Sequence, residues 1–165
     1  MLIAKGWKIG AHPLFTEQLL KLIEAVEREK AVKPKHYRDS ANAKLLAAIL
    51  KLILDVIPSD PTASAFRQGD TLGANRKHWF RAKFGAGRFR LFFRFSSSAK
   101  TILYVWVNDE TTLRTYGSKT DAYRTFEKML TAGNPPDSWA ALLAAAGKQE
   151  TLNRLSEAVG KSSGL

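Results

Sequence analysis

Positive charge is the most concentrated chemistry in this chain. Arg76, Lys77, Arg81, Lys83, Arg88, Arg90 and Arg94 form one run, with no acidic residue between Asp70 and Asp109. Such a run attracts a phosphate backbone, and arginine forks grip phosphate oxygens two at a time. Trp79, Phe92 and Tyr116 would add base stacking where exposed. His78 beside the run is chemically able to carry a proton, although a lone histidine needs an orienting partner to do so and otherwise fits a solvated loop. The bland alternative is a solvated strand face whose charges prevent edge pairing. The density of one sign favours function, because like charges on one face repel.

The rest of the composition narrows the chemistry. The chain has 165 residues, 45% of them apolar, and Lys+Arg 26 against Asp+Glu 15 leaves a net charge of +11, with an isoelectric point near 10.0. A polyanionic partner is expected, and the length suits a single domain over 1–165. Cysteine is absent, and His12, His36 and His78 show no ligand spacing. Metal-free chemistry with no cofactor is therefore expected. The apolar start at 1–4 is broken by Lys5 and Gly6, and the longest apolar stretch, 45–57, by Lys51 and Asp55. Neither a secretory signal nor a membrane span is expected, which suggests a cytoplasmic location.

The charged run needs elements to position it. Phe80, Ala82 and Phe84 alternate with Arg81 and Lys83, which predicts a strand with one basic face. A second strand follows, with Phe89, Leu91, Phe93 and Phe95 on one face and Arg88, Arg90, Phe92 and Arg94 on the other. The first face is expected to pack on helices and the second to remain charged. Residues 101–107 are almost wholly apolar, as in a central strand, and the three strands read as an antiparallel meander. Gly85-Ala86-Gly87 is turn chemistry first and only weakly a phosphate cradle. Lys83 and Arg90 share a face only if an even number of residues separates paired positions, or if a bulge shifts the register. One of these is predicted.

Upstream, residues 5–11 predict a short strand around Trp7 and Ile9, and Pro13 suits a first helical turn. Phe15, Leu19, Leu22, Ile23 and Val26 recur at helical spacing opposite Glu17, Lys21, Glu24 and Arg28. A second helix, through Leu46, Ile49, Leu50 and Ile53, is expected to stop before Pro58, and 58–73 to be an extended connection. Downstream, Asn108 suits the cap of a short helical turn through Tyr116, and a further helix near Asp121 buries Tyr123, Phe126 and Leu130. Asp121 reads as its cap, with the orientation of Lys119 or Arg114 as the alternative role. Residues 137–165 read as a helical, partly frayed tail, with fraying expected at 161–165.

Several segments resemble one known family. They are Lys83-Phe84-Gly85-Ala86-Gly87-Arg88-Phe89-Arg90-Leu91-Phe92-Phe93-Arg94-Phe95, Trp106-Val107-Asn108-Asp109-Glu110, Thr112-Leu113-Arg114-Thr115-Tyr116-Gly117 and Lys119-Thr120-Asp121-Ala122-Tyr123. Gly6-Trp7, Ala11-His12-Pro13, Ser64-Ala65-Phe66-Arg67 and Gly133-Asn134-Pro135-Pro136 extend the match up to about Trp139. Together they resemble the YhaV family of bacterial type II toxins, within the wider RelE-like group. The resemblance implies an α+β fold with two N-terminal helices on a curved antiparallel sheet, followed by C-terminal helices. It also implies a metal-independent endoribonuclease that cuts mRNA, on or off the ribosome, arrests translation and growth, and is neutralised by a PrlF-type antitoxin.

In that chemistry the ribose 2′-hydroxyl attacks phosphorus and expels the 5′-oxygen, which needs a base, an acid and cations for the phosphorane. The resemblance assigns catalysis to Lys83, Arg90, Arg114 and Tyr116, and RNA contact to Arg81, Arg88, Arg94 and Lys119. Arg90 would clamp the scissile phosphate, Arg114 neutralise the transition state, and Lys83 or Tyr116 move protons. Asn108-Asp109-Glu110 stands where RelE-like toxins carry a basic cluster, with Arg114 as the substitute. His78, Asn108 and Asp121 are secondary candidates. Each has a plainer reading: Tyr116 packed with a satisfied hydroxyl, Arg114 paired with Asp109 or Glu110, Asn108 and Asp121 as caps. A non-catalytic RNA- or ribosome-binding module and an inactive toxin retaining antitoxin binding are the competing functions.

Overall fold

The alternation of residues 80–95 yields two paired strands. The computed structural model describes residues 1–109 and 121–165. Among the described residues, β3 (Phe80–Phe84), β4 (Phe89–Ser96) and β5 (Thr101–Val107) form the expected antiparallel meander. β5 is buried throughout and lies in the middle of a five-stranded sheet of order β1-β2-β5-β4-β3. The sheet is mixed rather than wholly antiparallel: β2 (Trp7–Ala11) runs parallel to β5, and β1 (Leu2–Ala4) folds back on β2. The helical crossover between β2 and the meander permits this, because parallel neighbours need a long connection.

The turns that join β1 to β2 and β3 to β4 use left-handed backbone. Lys5 and Gly6, at φ 49° and 82°, join Ala4 to its partner Trp7 in the twisted hairpin geometry that right-handed strands prefer. Gly85, Ala86 and Gly87, at φ 61°, 56° and 81°, help carry the chain from Phe84 to its partner Phe89. Four residues, 85–88, lie between those partners, the even count required to put Lys83 opposite Arg90. Arg88 therefore belongs to the turn and not to the strand face. A bulge at Val105 then shifts β5 against β4, so that Phe92 pairs with Trp106 and Phe93 with Tyr104.

One sheet face meets two N-terminal helices, as expected. α1 (Pro13–Val32) opens with Pro13 in its first turn and lays Phe15, Leu19, Ile23 and Val26 on a core that includes Ile9, Leu91, Phe93 and Tyr104. α2 (Ala41–Lys51) follows, but its helical path does not stop before Pro58. A π turn over Leu52–Val56 carries it into the last turn, α3 (Ile57–Ser59). Proline lacks a donor and crowds the carbonyl four residues back. The wider turn, with Ile57 N–H bonded to Leu52 O, lets the chain pass. The connection after it contains a 3₁₀ turn, Ser64–Phe66, and a bridge from Arg67 to Phe80.

The other face differs from the expectation of an open basic surface. α4 (Ala122–Thr131) and α5 (Trp139–Gly147) contribute Phe126, Leu130, Leu142 and Ala146 to a second core with Phe92, Leu103, Val105 and Trp106. Trp79 and Phe92 are fully buried in it, so neither stacks on a base. Phe92, Trp106 and Phe126 are large apolar rings on or above that face, and covering them outweighs leaving the charged positions open. α6 (Gln149–Ser162) packs on α1. Where fraying is expected, Ser162 is buried, Leu165 packs against the first core and Lys30 Nζ donates to Gly164 O at 2.9 Å. No helix among the described residues is long and apolar enough to cross a membrane.

Candidate active site

The site is built where the first turn of α4 crosses the basic side of the β3–β4 hairpin. Asp121 caps α4 by accepting from Tyr123 N–H at 2.8 Å, confirming the cap read from the sequence. Three residues after Tyr123, Phe126 stacks on Phe92 with ring centres 4.2 Å apart, and Tyr123 meets Phe92 edge-on at 5.7 Å. Residues three apart share a helix face, so anchoring Phe126 fixes where Tyr123 reaches.

Its hydroxyl lies between two arginines. Arg81 Nε donates to Tyr123 Oη at 2.7 Å and Arg90 Nε to the same oxygen at 3.3 Å. Arg81 Nη1 also donates to Ala65 O at 2.9 Å, and Arg90 Nη1 to Gly87 O at 2.5 Å and Phe89 O at 3.2 Å. Arg81, Arg90 and Tyr123 are only 8%, 5% and 5% exposed. Burying like charges is unfavourable unless they are hydrogen-bonded. Among the described residues, both guanidiniums rest on neutral oxygens, so their charge is held but not cancelled. Burial pushes the Tyr123 hydroxyl up, but the hydrogen bonds and charges of Arg81 and Arg90 prevail and hold it below the ordinary tyrosine value.

Lys83 faces Arg90 across the ladder and is exposed. The register places Arg81, Lys83, Arg90 and Arg94 on one face, as the alternation implied. Arg88 is exposed in the turn, its guanidinium 5.7 Å from the centre of the Phe89 ring. Asn108 has a task that its reading as a helix cap did not anticipate. Its Oδ1 accepts from Arg90 N–H at 2.5 Å and its Nδ2 donates to Arg88 O at 3.1 Å, tying the end of β5 to the backbone that carries both arginines.

Arg94 and His78 belong to a second cluster, around Asp137. Arg94 lies four residues along β4 from Arg90, about 13 Å of strand. Its guanidinium carbon is 5.7 Å from the Trp79 ring centre and 5.6 Å from that of Trp139, and Nη1 donates to Asp137 O at 2.6 Å. Asp137 Oδ1 accepts from Trp79 Nε1 at 2.6 Å and meets His78 Nε2 at 2.9 Å. Burial raises the Asp137 carboxyl, but hydrogen bonds from Trp79 and His78, with the charges of His78 and Arg94, outweigh it and hold the group below its ordinary range. His78 therefore has the orienting partner that the sequence did not reveal.

Arg114, Tyr116 and Lys119, with the helical turn expected after Asn108, lie outside the described residues. Tyr123 and Asp137 were missed as site residues. The ring of Tyr123 is core, as its helical spacing implies, but a buried hydroxyl needs a partner, and that requirement is the signal the sequence offers. Asp137 stands at the start of the helical tail 137–165, where the sequence pattern points to a helix opening and nothing more.

The chain matches the family model described as a toxin with endonuclease activity, of a toxin–antitoxin system, over residues 9–147. It is 50% identical over 138 residues to Toxin YhaV of Escherichia coli O6:H1 and to Ribonuclease toxin YhaV of Escherichia coli strain K12, covering 83% of this chain and 90% of each relative. No solved structure matches it. The β3–β4 hairpin and the α4 turn that build the arginine pair lie inside the matched region, and a match of that extent and identity means that the chain belongs to the YhaV family of toxins.

Proposed function

We propose that this chain is the toxin of a type II toxin–antitoxin system and cuts RNA by metal-independent transesterification. The meeting of Arg81 and Arg90 at one buried phenol oxygen, with Lys83 on the same strand face, carries this reading. Two guanidiniums, uncancelled among the described residues, offset the negative charge that a pentavalent phosphorane develops, and buried cations act on it more strongly than solvated ones. The family description and the name of the ribonuclease relative support the same activity.

The ribose 2′-hydroxyl attacks the adjacent phosphorus and the 5′-oxygen departs, leaving a 2′,3′-cyclic phosphate and a 5′-hydroxyl. One proton leaves the attacking hydroxyl and one reaches the leaving oxygen, so the step balances without an added reactant. Arg90 and Arg81 hold the non-bridging oxygens, Arg114 adds a third cation, and Lys83 and Tyr116 move the protons. Arg88 and Lys119 contact the flanking backbone. An N-terminal helical layer ahead of the β3-β4-β5 meander supports placing the chain in the RelE-like group. A PrlF-type antitoxin is the proposed neutralising partner, and mRNA in the cytoplasm, on or off the ribosome, the substrate.

The test is incubation of the purified chain with RNA in EDTA, with and without ribosomes. Products ending in cyclic or 3′-phosphate support the reading, whereas RNA bound but uncut in every arm supports a binding module.

A further inference from the structure

We propose that Tyr123 is a positioning residue for the cleavage, aligning Arg81 and Arg90 by accepting a hydrogen bond from the Nε of each on one phenol oxygen. The inference rests on the ribonuclease reading above and goes beyond it by naming what sets the geometry of the two cations. With Nε on Tyr123 and Nη1 on backbone carbonyls, each guanidinium is tethered at two of its three nitrogens. Among the described residues, Nη2 of Arg81 and Nη2 of Arg90 meet no acceptor, so these, with the second N–H of Arg81 Nη1, are the donors left to turn toward a phosphate.

A phenol suits this task better than a carboxylate. A carboxylate would fix the arginines but cancel a charge that the phosphorane needs. The neutral oxygen fixes both at once and leaves both charges in place. Its own position is fixed in turn: Asp121 caps the turn that carries Tyr123, Phe126 stacks on Phe92, and Tyr123 packs edge-on against Phe92. A group held on three sides adds little reorganisation at the moment of reaction.

The full chain is compared with Tyr123→Phe and Arg81→Lys, both checked by circular dichroism and thermal melting. Phenylalanine keeps the ring contacts, and lysine keeps the charge but loses the Nε fork. Each variant should lower kcat by roughly tenfold or more on a defined RNA, with KM within about twofold of the parent. Tyr123→Phe should cost less in an Arg81→Lys background than alone, because both changes disturb one arrangement. Unchanged kcat in either folded variant overturns the proposal, and so does full additivity, which would make the hydroxyl act independently of Arg81. A second readout does not depend on cleavage: in nitrogen-15 NMR the Nε–H groups of Arg81 and Arg90 should resist solvent exchange, and Tyr123→Phe should expose both. Unaltered protection overturns the positioning role even if the parent chain proves inactive on RNA, an outcome that would instead defeat the ribonuclease reading.

Discussion

Lys83 and Arg90 are direct partners across the β3–β4 ladder, two cations on one face of the hairpin. Directly opposed side chains in an antiparallel pair have Cβ atoms about 4.5–5.5 Å apart, and like charges there destabilise the sheet. Stability alone would not select this pair. Lys83→Met keeps the length of the chain and removes the repulsion, so it should raise stability by about 0.2–1 kcal/mol while sharply reducing RNA cleavage. Paired thermal melts and cleavage assays check both directions, and a variant that melts lower would show that Lys83 serves the fold.

Arg90 gives the complementary case. It is buried and donates to Gly87 O, Phe89 O and the Tyr123 oxygen. Arg90→Ala leaves those acceptors without that donor, a loss of about 1–3 kcal/mol, and it should abolish growth arrest when expressed. Melting of the purified variant shows whether it folds. Full toxicity from a folded Arg90→Ala chain removes Arg90 from the mechanism.

What the sequence made legible follows from what periodicity encodes. The alternation from Phe80 to Phe95 placed Arg81, Lys83, Arg90 and Arg94 on one face, and the apolar run 101–107 identified the central strand. Periodicity reports that a face is shared but not what covers it. α4 and α5 return over the basic face, turn Trp79 and Phe92 into core, and divide the cations between Tyr123 and Asp137. Those are long-range pairings, Arg81 with Tyr123 at a separation of 42 residues and Trp79 with Asp137 at 58. No local signal specifies which buried hydroxyl or carboxylate closes on which cation. Pro58 misled for a related reason: its local rule is to end a helix, and the π turn before it lets the helical path continue.

His12 makes helix α1 sensitive to acid. The residue is buried, and its Nδ1 accepts from Leu14 N–H at 3.1 Å as the N-cap, a task that requires the unprotonated nitrogen. Burial lowers its pKa below the ordinary value near 6.5. The unfolded chain therefore takes up the proton first as pH falls. The stabilising contribution is complete above about pH 6.5 and declines below it, until the folded form also titrates. His12→Asn supplies a cap that does not titrate. Its melting temperature should change less between pH 7.5 and 5 than that of the parent chain, and parallel curves would remove His12 from the acid response.

Asp137 predicts acid sensitivity in a lower range, with a different structural origin. Its carboxylate takes the indole N–H of Trp79, a ring with no solvent exposure that packs edge-on against Phe126 at 5.0 Å. The carboxyl is held below its ordinary value of 3.8, so its contribution is present above that value and is lost as pH falls through the lower folded value. Asp137→Ala removes the acceptor while Trp79 stays buried, and a buried donor without a partner costs about 1–3 kcal/mol. The variant should melt lower than the parent at neutral pH, and the gap should narrow as the parent is acidified below pH 3.8. Denaturant melts of both chains across that range provide the measurement. A gap that stays constant would place the loss in packing around Trp79 and Arg94 and not in the carboxylate.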